Sequence, residues 1–408
     1  MANAWKNLSD GDIVRKALAS FHNKLKFIKT INRQYDNRFA KTGSKNDGTL
    51  LIKMPNEYDV TTGAVLTTQD TTEITQTLTV ATQKHVGLNL SSFDYTMSVE
   101  SFQEQCLDPA MTKLAADVEN TVLSNVYKDV FNYSGTPATT LASILAVLNG
   151  NVKLSQGLAP VSDRHIIMDA VNMAPTVNAV GLYFHKASEL ERAFAEGYIG
   201  EAAGLKWWES EMTPSHTNGT RTDATPVTDT SAATFTTLGA TTLVTTGQTS
   251  GQTLKKGDVF TIADTYAVNL ETKARLAHLQ QFVVRTDKTC DATDTYDIAP
   301  AIYASGPRQN VEAVSAGSKA IVHVAAGGSG TASQVNVQPL AYHRDAFTFA
   351  SADLHMEPGQ RMSRAVIEGI SMRLWRGADI VNDKFPARID VLFGYKTLRP
   401  EWACRVRG

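Results

Sequence analysis

The 408 residues carry 39 Lys and Arg against 41 Asp and Glu, with 42% hydrophobic and 20% charged residues, an ordinary globular balance that leaves room for two or three packed units. No run of about eighteen apolar residues exists to span a bilayer, and MANAWKNLSDGD at the N-terminus has no apolar core of signal-peptide length. Cys106, Cys290 and Cys404 are far apart, odd in number and without a C-x-x-C, so the expectation is a reduced, soluble chain rather than a disulfide framework.

Charge is unevenly spread. Residues 1–53 hold eleven Lys or Arg against four acids, a net of +7, and residues 361–408 hold ten against five, a net of +5, which leaves the middle acidic. Basic ends favour a polyanion or an acidic protein partner, or form a solvated face.

In chain order, residues 9–31 open with Ser9 followed three residues later by Asp12 and place Ile13, Ala17, Phe21 and Leu25 four apart, which predicts an amphipathic helix with a basic back. The polar run FAKTGSKNDG at 39–48 ends it, so the first fifty residues read as an arm. From Met54 to Leu90 the period changes to two, with Ile74, Leu78, Val80, Val86, Leu88 and Leu90 all on even positions, which predicts a long two-stranded arm. Such a ribbon is marginal alone and needs a surface to lie on. Asp108 and Pro109 form a helix start, and Met111, Leu114, Val118, Val122 and Val126 carry a helix on toward Phe131. A shorter helix is expected over 140–149 with Gly150 as its stop, a buried strand at RHIIMDA (164–170), and a helix at SELERAFAEG (188–197).

After His216 the composition shifts. Residues 217–253 hold fifteen Thr and no helical period, and candidate strands follow at 258–263, 280–286, 295–303 and 319–325 with turn residues between them. Near Pro339 the mixed pattern resumes, so a small antiparallel barrel or sandwich inserted in an α+β body is the expected fold.

Chemistry is hard to find. LAYHRDAFTFASADL at 340–354 contains His343-Arg344-Asp345, the opening of a kinase catalytic loop, but position 350 is Ala and neither a G-x-G-x-x-G nor a D-F-G is present. No P-loop, H-E-x-x-H, EF-hand or G-x-S-x-G occurs. His185 and Glu189 read as a surface pair, Gly327-Gly328-Ser329-Gly330 as a turn, and Trp207-Trp208 as packing. The expectation is a non-enzyme with no catalytic, metal or cofactor site; a dispersed-site enzyme would need a pocket of convergent polar groups.

LAYHRDAFTFASADL, FPARIDVLFGYKTLRPEWACRV (385–406) and TLKKGDVFTI (253–262), taken with the order of features, resemble the major coat proteins of tailed phages with the HK97-type fold, most closely the P22-like family. The resemblance implies an N-terminal arm at 1–53, an E-loop at 54–92, a peripheral (P) domain with the spine helix at 93–140 and 371–408, an axial (A) domain at 141–216 and 340–370, and an inserted antiparallel β-barrel (I) domain at 217–339. It further implies a shell of hexamers and pentamers around double-stranded DNA, scaffolding and portal proteins as partners, no membrane, and a place in the virion after assembly in the host cytoplasm. Lys16, Lys24, Lys26 and Lys29 are the candidate inward-facing contacts to scaffold or DNA, and Arg344 and Asp345 the candidate junction or interface residues. Two rivals stand beside this reading: an encapsulin-like nanocompartment shell, and a β-rich tail or adhesin protein suggested by 217–253.

Overall fold

The structure, a computed structural model, describes residues 10–36, 48–56, 58, 60, 62–66, 68, 73–91, 106–137, 139–181, 200–221, 226–229, 237–312, 318–324, 333–382 and 384–408. The expected helix at 188–197, the His185 and Glu189 pair and the Gly327–Gly330 turn lie outside them. The chain forms two compact units, one of residues 1–54, 75–122 and 347–398, the other of 55–74, 123–346 and 399–408.

In the first unit, helix α1 (Asp10–Lys24) buries Val14, Ala17, Leu18 and Phe21 along one stripe and leaves Arg15, Lys16 and Lys24 exposed. The single helix expected to Ile31 is broken: α2 (Phe27–Thr30) starts afresh after Lys26. The cause is tertiary. Glu119, buried on the long helix α3 (Asp108–Val126), accepts the backbone N–H of Lys26 and, at 2.6 Å, that of Phe27. These are orphan donors of a helix N-terminus, so the carboxylate begins a new helix.

A six-stranded sheet forms this unit's framework. Its order is Asn32–Asp36, Phe347–Ala352, Lys384–Thr397, Ile370–Arg376, Arg361–Ile367, with Thr82–Ser91 also on Lys384–Thr397. Only the first pair is parallel. The expected long strand from 54 to 90 divides. Ile74–Thr79 pairs with Thr49–Met54 as a two-stranded ribbon, whereas Thr82–Ser91 joins the sheet. Even positions stay less exposed than odd ones across the break, so the period was real and only the pairing partner changed. At the break the Val80 N–H donates to Gly48 O at 2.7 Å, and the backbone passes over Gly394, where a Cβ would lie 2.2 Å from Thr79 O.

In the second unit a sheet runs in the order Tyr133–Ser134, Ala403–Val406, Leu340–His343, Arg164–Met168, Leu205–Glu209, Glu201–Ala202. Arg164–Met168 is wholly buried, as its apolar run predicts. Helices α4 (Ile144–Gln156) and α5 (Ala170–Gly181) contribute Ala146, Val147, Leu154 and Met173 to the core around Ile166, Met168, Trp207, Ala341, Cys404 and Val406. Gly150 does not stop α4. It lies inside the helix because Val406 packs there, and a Cβ would fall 2.8 Å from its Cγ2. The helix ends instead at Gly157, over which the backbone of Glu401 passes.

Residues 340–370 and 371–408, each assigned to one domain from sequence, both divide at the sheet level. Phe347–Ala352 and Arg361–Ile367 bond into the first unit's sheet, and Ala403–Val406 into the second's. Apolar alternation reports that a strand is half buried, not which sheet it joins.

The chain leaves this sheet through Ser215–Thr217 and returns through Val335–Val337, and these two segments pair antiparallel at the root of a separate β module. The module's strands follow the order Val227–Thr228, Ala240–Thr246, Thr293–Ile302, Arg275–Val284, Val259–Val268, Ile321–His323. The two ends approach each other: the Thr228 N–H donates to Lys319 O at 2.9 Å and the Ile321 N–H to Pro226 O at 2.8 Å, a single bridge that leaves the sheet a nearly closed barrel around Leu243, Phe260, Phe282, Tyr296 and Ile298.

Candidate functional site

The His343-Arg344-Asp345 triplet lies on a 3-10 turn, Arg344–Ala346, where the chain passes from the second unit's sheet to the first unit's. His343 is buried, edge-on to Trp402 at 5.1 Å between ring centres, and its Nδ1 accepts the Asp345 N–H at 3.2 Å. Burial depresses the imidazole's proton affinity, so the ring is a neutral packing group. The Arg344 N–H donates to Asp163 O at 3.1 Å, and its side chain is exposed; Asp345 is half-buried. Arg399 lies over the Trp402 ring at 4.1 Å, and the indole N–H donates to Gly157 O at 2.8 Å, which fixes Leu-Arg-Pro-Glu-Trp against the end of α4. The triplet lies at the turn between Leu340–His343 and Phe347–Ala352, strands of two different sheets.

TLKKGDVFTI takes a role that its sequence did not reveal. Asp258 is buried at the barrel's root and accepts from His216 Nε2 at 2.8 Å, the Lys255 N–H at 2.8 Å and the Gly219 N–H at 3.2 Å. Burial alone would raise its carboxyl, but these donors hold it below the usual carboxylate range. His216 therefore donates through Nε2, and its Nδ1 receives the Tyr127 hydroxyl at 3.1 Å, just past the end of α3. Arg405, 1% exposed, donates to Gly257 O at 2.7 Å and to Val130 O at 2.6 Å. The network braces the barrel on the closing strand. His216, Asp258 and Arg405 are far apart in sequence, so no local spacing joined them.

Of the basic candidates, Lys16 and Lys24 lie on α1, Lys26 at the bend and Lys29 on α2; all four are exposed. Lys84, on the inward face of Thr82–Ser91, binds Asp117 Oδ2 at 2.5 Å and Thr121 Oγ1 at 2.6 Å, both on α3.

The largest exposed apolar side chains of the ribbon and the segment beyond it are Leu51, Tyr58, Val60, Val65 and Leu66, with Val60 97% exposed. Side chains of this kind gain by leaving water, at roughly 1.5–3 kcal/mol each when fully covered. The ribbon packs Leu50, Ile52 and Leu78 against Ala350, Ala352 and Leu392, whereas the segment beyond it leaves its apolar side chains uncovered and has most to gain from another surface. Among the described residues no helix is long and apolar enough to cross a membrane, and no three His, Cys, Asp or Glu side chains converge as around a metal ion.

A family model described as "P22 coat protein - gene protein 5" matches residues 7–406. No curated protein matches the chain. Among solved structures, one described as Mycobacterium phage Che8 is similar over 94% of this chain and 89% of its own, at 10% identity and a TM-score of 0.45. The mature capsid of bacteriophage PhiM1 is similar over 94% and 86%, at 10% identity and 0.45. The capsid of Cyanophage P-SCSP1u is similar over 94% and 88%, at 10% identity and 0.42.

Proposed function

The chain belongs to the P22 coat protein family, and from that premise we propose how it acts as a phage major capsid protein: copies close as hexamers and pentamers into an icosahedral shell around double-stranded DNA, on an HK97-type fold. The role is structural rather than catalytic. In this reading residues 1–53 are the arm, the ribbon and the segment between its strands are the E-loop, α3 is the spine helix of the peripheral domain, the sheet flanked by α4 and α5 is the axial domain, and the barrel is the I-domain. Scaffolding and portal proteins are the assembly partners, with the host cytoplasm as the place of assembly. Lys16, Lys24, Lys26 and Lys29 are the inward contacts to scaffold or DNA, and Arg344 and Asp345 hold the junction.

The observation that carries the reading is the ribbon with the segment that joins its strands: Leu51 is exposed on one strand, and Tyr58, Val60, Val65 and Leu66 are exposed in the segment beyond it. Apolar side chains on a projection that cannot enclose them are stabilised only by a partner surface, and a chain that offers the same projection in every copy assembles heterologously until rotation closes the set. Electron microscopy of the expressed full-length chain tests it. Closed shells are expected, whereas fibres, or monomers alone at every concentration tried, overturn the reading.

A further inference from the structure

The hairpin between Arg361–Ile367 and Ile370–Arg376 turns through Glu368 and Gly369, with Ile367 opposite Ile370. Both turn residues have positive φ, +47° at Glu368 and +79° at Gly369, the two-residue turn that favours Asn-Gly. Glu in the left-handed region is disfavoured, so this turn holds a residue that its own conformation selects against. Such an outlier persists where neighbouring contacts over-determine it. Those contacts are specific: Glu368 Oε2 lies 3.0 Å from His22 Nε2, in the last turns of α1, and 2.9 Å from Arg33 NH2, in the strand Asn32–Asp36. Arg33 NH1 is also 3.1 Å from His22 Nε2.

His22 Nε2 therefore faces a cation and an anion at once. Unprotonated, its single Nε2 lone pair accepts from Arg33, which bridges to Glu368 through its other nitrogen; protonated, Nε2 donates to Glu368 but its N–H meets the N–H of Arg33, and that bridge is lost. The charged groups that bear on it are Glu368 from the hairpin turn, Arg33 from the strand and Lys29 from α2. The geometry points to a latch: Glu368 fastens the end of helix α1 to the hairpin turn through His22 and Arg33, and proton uptake by this cluster opens it. Burial holds the His22 imidazole below its ordinary value, with Lys29 and Arg33 adding to the effect and Glu368 opposing it. The Arg33 hydrogen bond holds Glu368 below the carboxylate range. Both depressions have the same sign. Each group binds fewer protons when latched, so the latch is complete above the ordinary histidine value and is lost as pH falls through the two latched values. Glu368 is half-exposed, so added salt weakens the latch as well. The buried Val14, Ala17, Leu18 and Phe21 keep the earlier turns of α1 in place, which confines the release to its last turn and the bend before α2.

Hydrogen exchange of the full-length chain, corrected for the intrinsic pH dependence of exchange, tests this. Protection of the amides from Phe21 to Leu25 is expected to fall about tenfold between about pH 7.5 and 5, while that of the Val366–Ser371 hairpin amides stays level. Glu368→Asn, which suits the turn better, is expected to lower the Phe21–Leu25 protection at neutral pH, flatten its pH profile and leave the hairpin protected. Glu368→Gln is expected to lower the same amides without altering side-chain size. Level Phe21–Leu25 protection across that pH range in the native sequence, or native-like protection there in either variant, overturns the latch.

Discussion

Lys153 shows how one position couples the fold to pH. It lies on α4 beside the buried Cys404, and burial pushes its amine down to about 8, with Cys404 opposing the change. The folded chain then binds fewer protons than the unfolded chain between that value and the ordinary lysine value, so stability rises with pH across that interval and is lowest where the ammonium is fully charged. Lys153→Met, which keeps the stem and removes the charge, is expected to stabilise the chain at neutral pH by about 1–2 kcal/mol and to abolish this alkaline rise. Urea unfolding at about pH 7 and 9.5 checks both. The rise must be taken as the difference between variant and parent. Tyr127 and Tyr133, each pushed up to about 12 mainly by burial, lose stabilisation over an overlapping alkaline range, and the difference removes their contribution.

Elements meet at two glycines whose substitution separates two kinds of close approach. At Gly394 a Cβ would lie 2.2 Å from Thr79 O, and backbone there cannot withdraw without breaking the ribbon's departure from the sheet. Gly394→Ala is expected to cost about 2–3 kcal/mol, read by urea unfolding, as overpacking with no flexible neighbour does. At Gly150 the obstacle is a methyl of Val406, and the site is inside a helix, where Gly→Ala contributes about 0.8–1.0 kcal/mol of propensity. There the two effects nearly cancel, so Gly150→Ala is expected to leave the unfolding midpoint almost unchanged.

At the scale of the molecule, the shell and the subunit are separable. The exposed Val60, Val65 and Leu66 support no core within the chain, so Val60→Ser, Val65→Ser and Leu66→Ser together should leave circular dichroism and the unfolding midpoint intact while abolishing closed shells in electron micrographs. Replacing Lys16, Lys24, Lys26 and Lys29 by Glu should leave the fold equally intact, since all four are exposed, but weaken scaffold-directed assembly or genome retention. A salt titration that leaves the parent's assembly unchanged would sink the electrostatic role.

Much of this was legible in the order of residues. Local rules determined α3 from Asp108-Pro109 and its apolar spacing, the inward face of 74–88 from its period of two, the buried strand at 164–168, and the barrel strands from short apolar runs between turn residues. The family resemblance was legible as well, and with it the expectation of a coat protein. Tertiary structure alone decided where α1 breaks, because the carboxylate that begins α2 comes from Glu119, some ninety residues away. It also decided that Gly150 accommodates Val406 rather than ending a helix. The division follows from range. Propensity and periodicity act over a few residues, whereas which strand pairs with which, and which buried charge answers which donor, depend on groups that only the folded chain brings together.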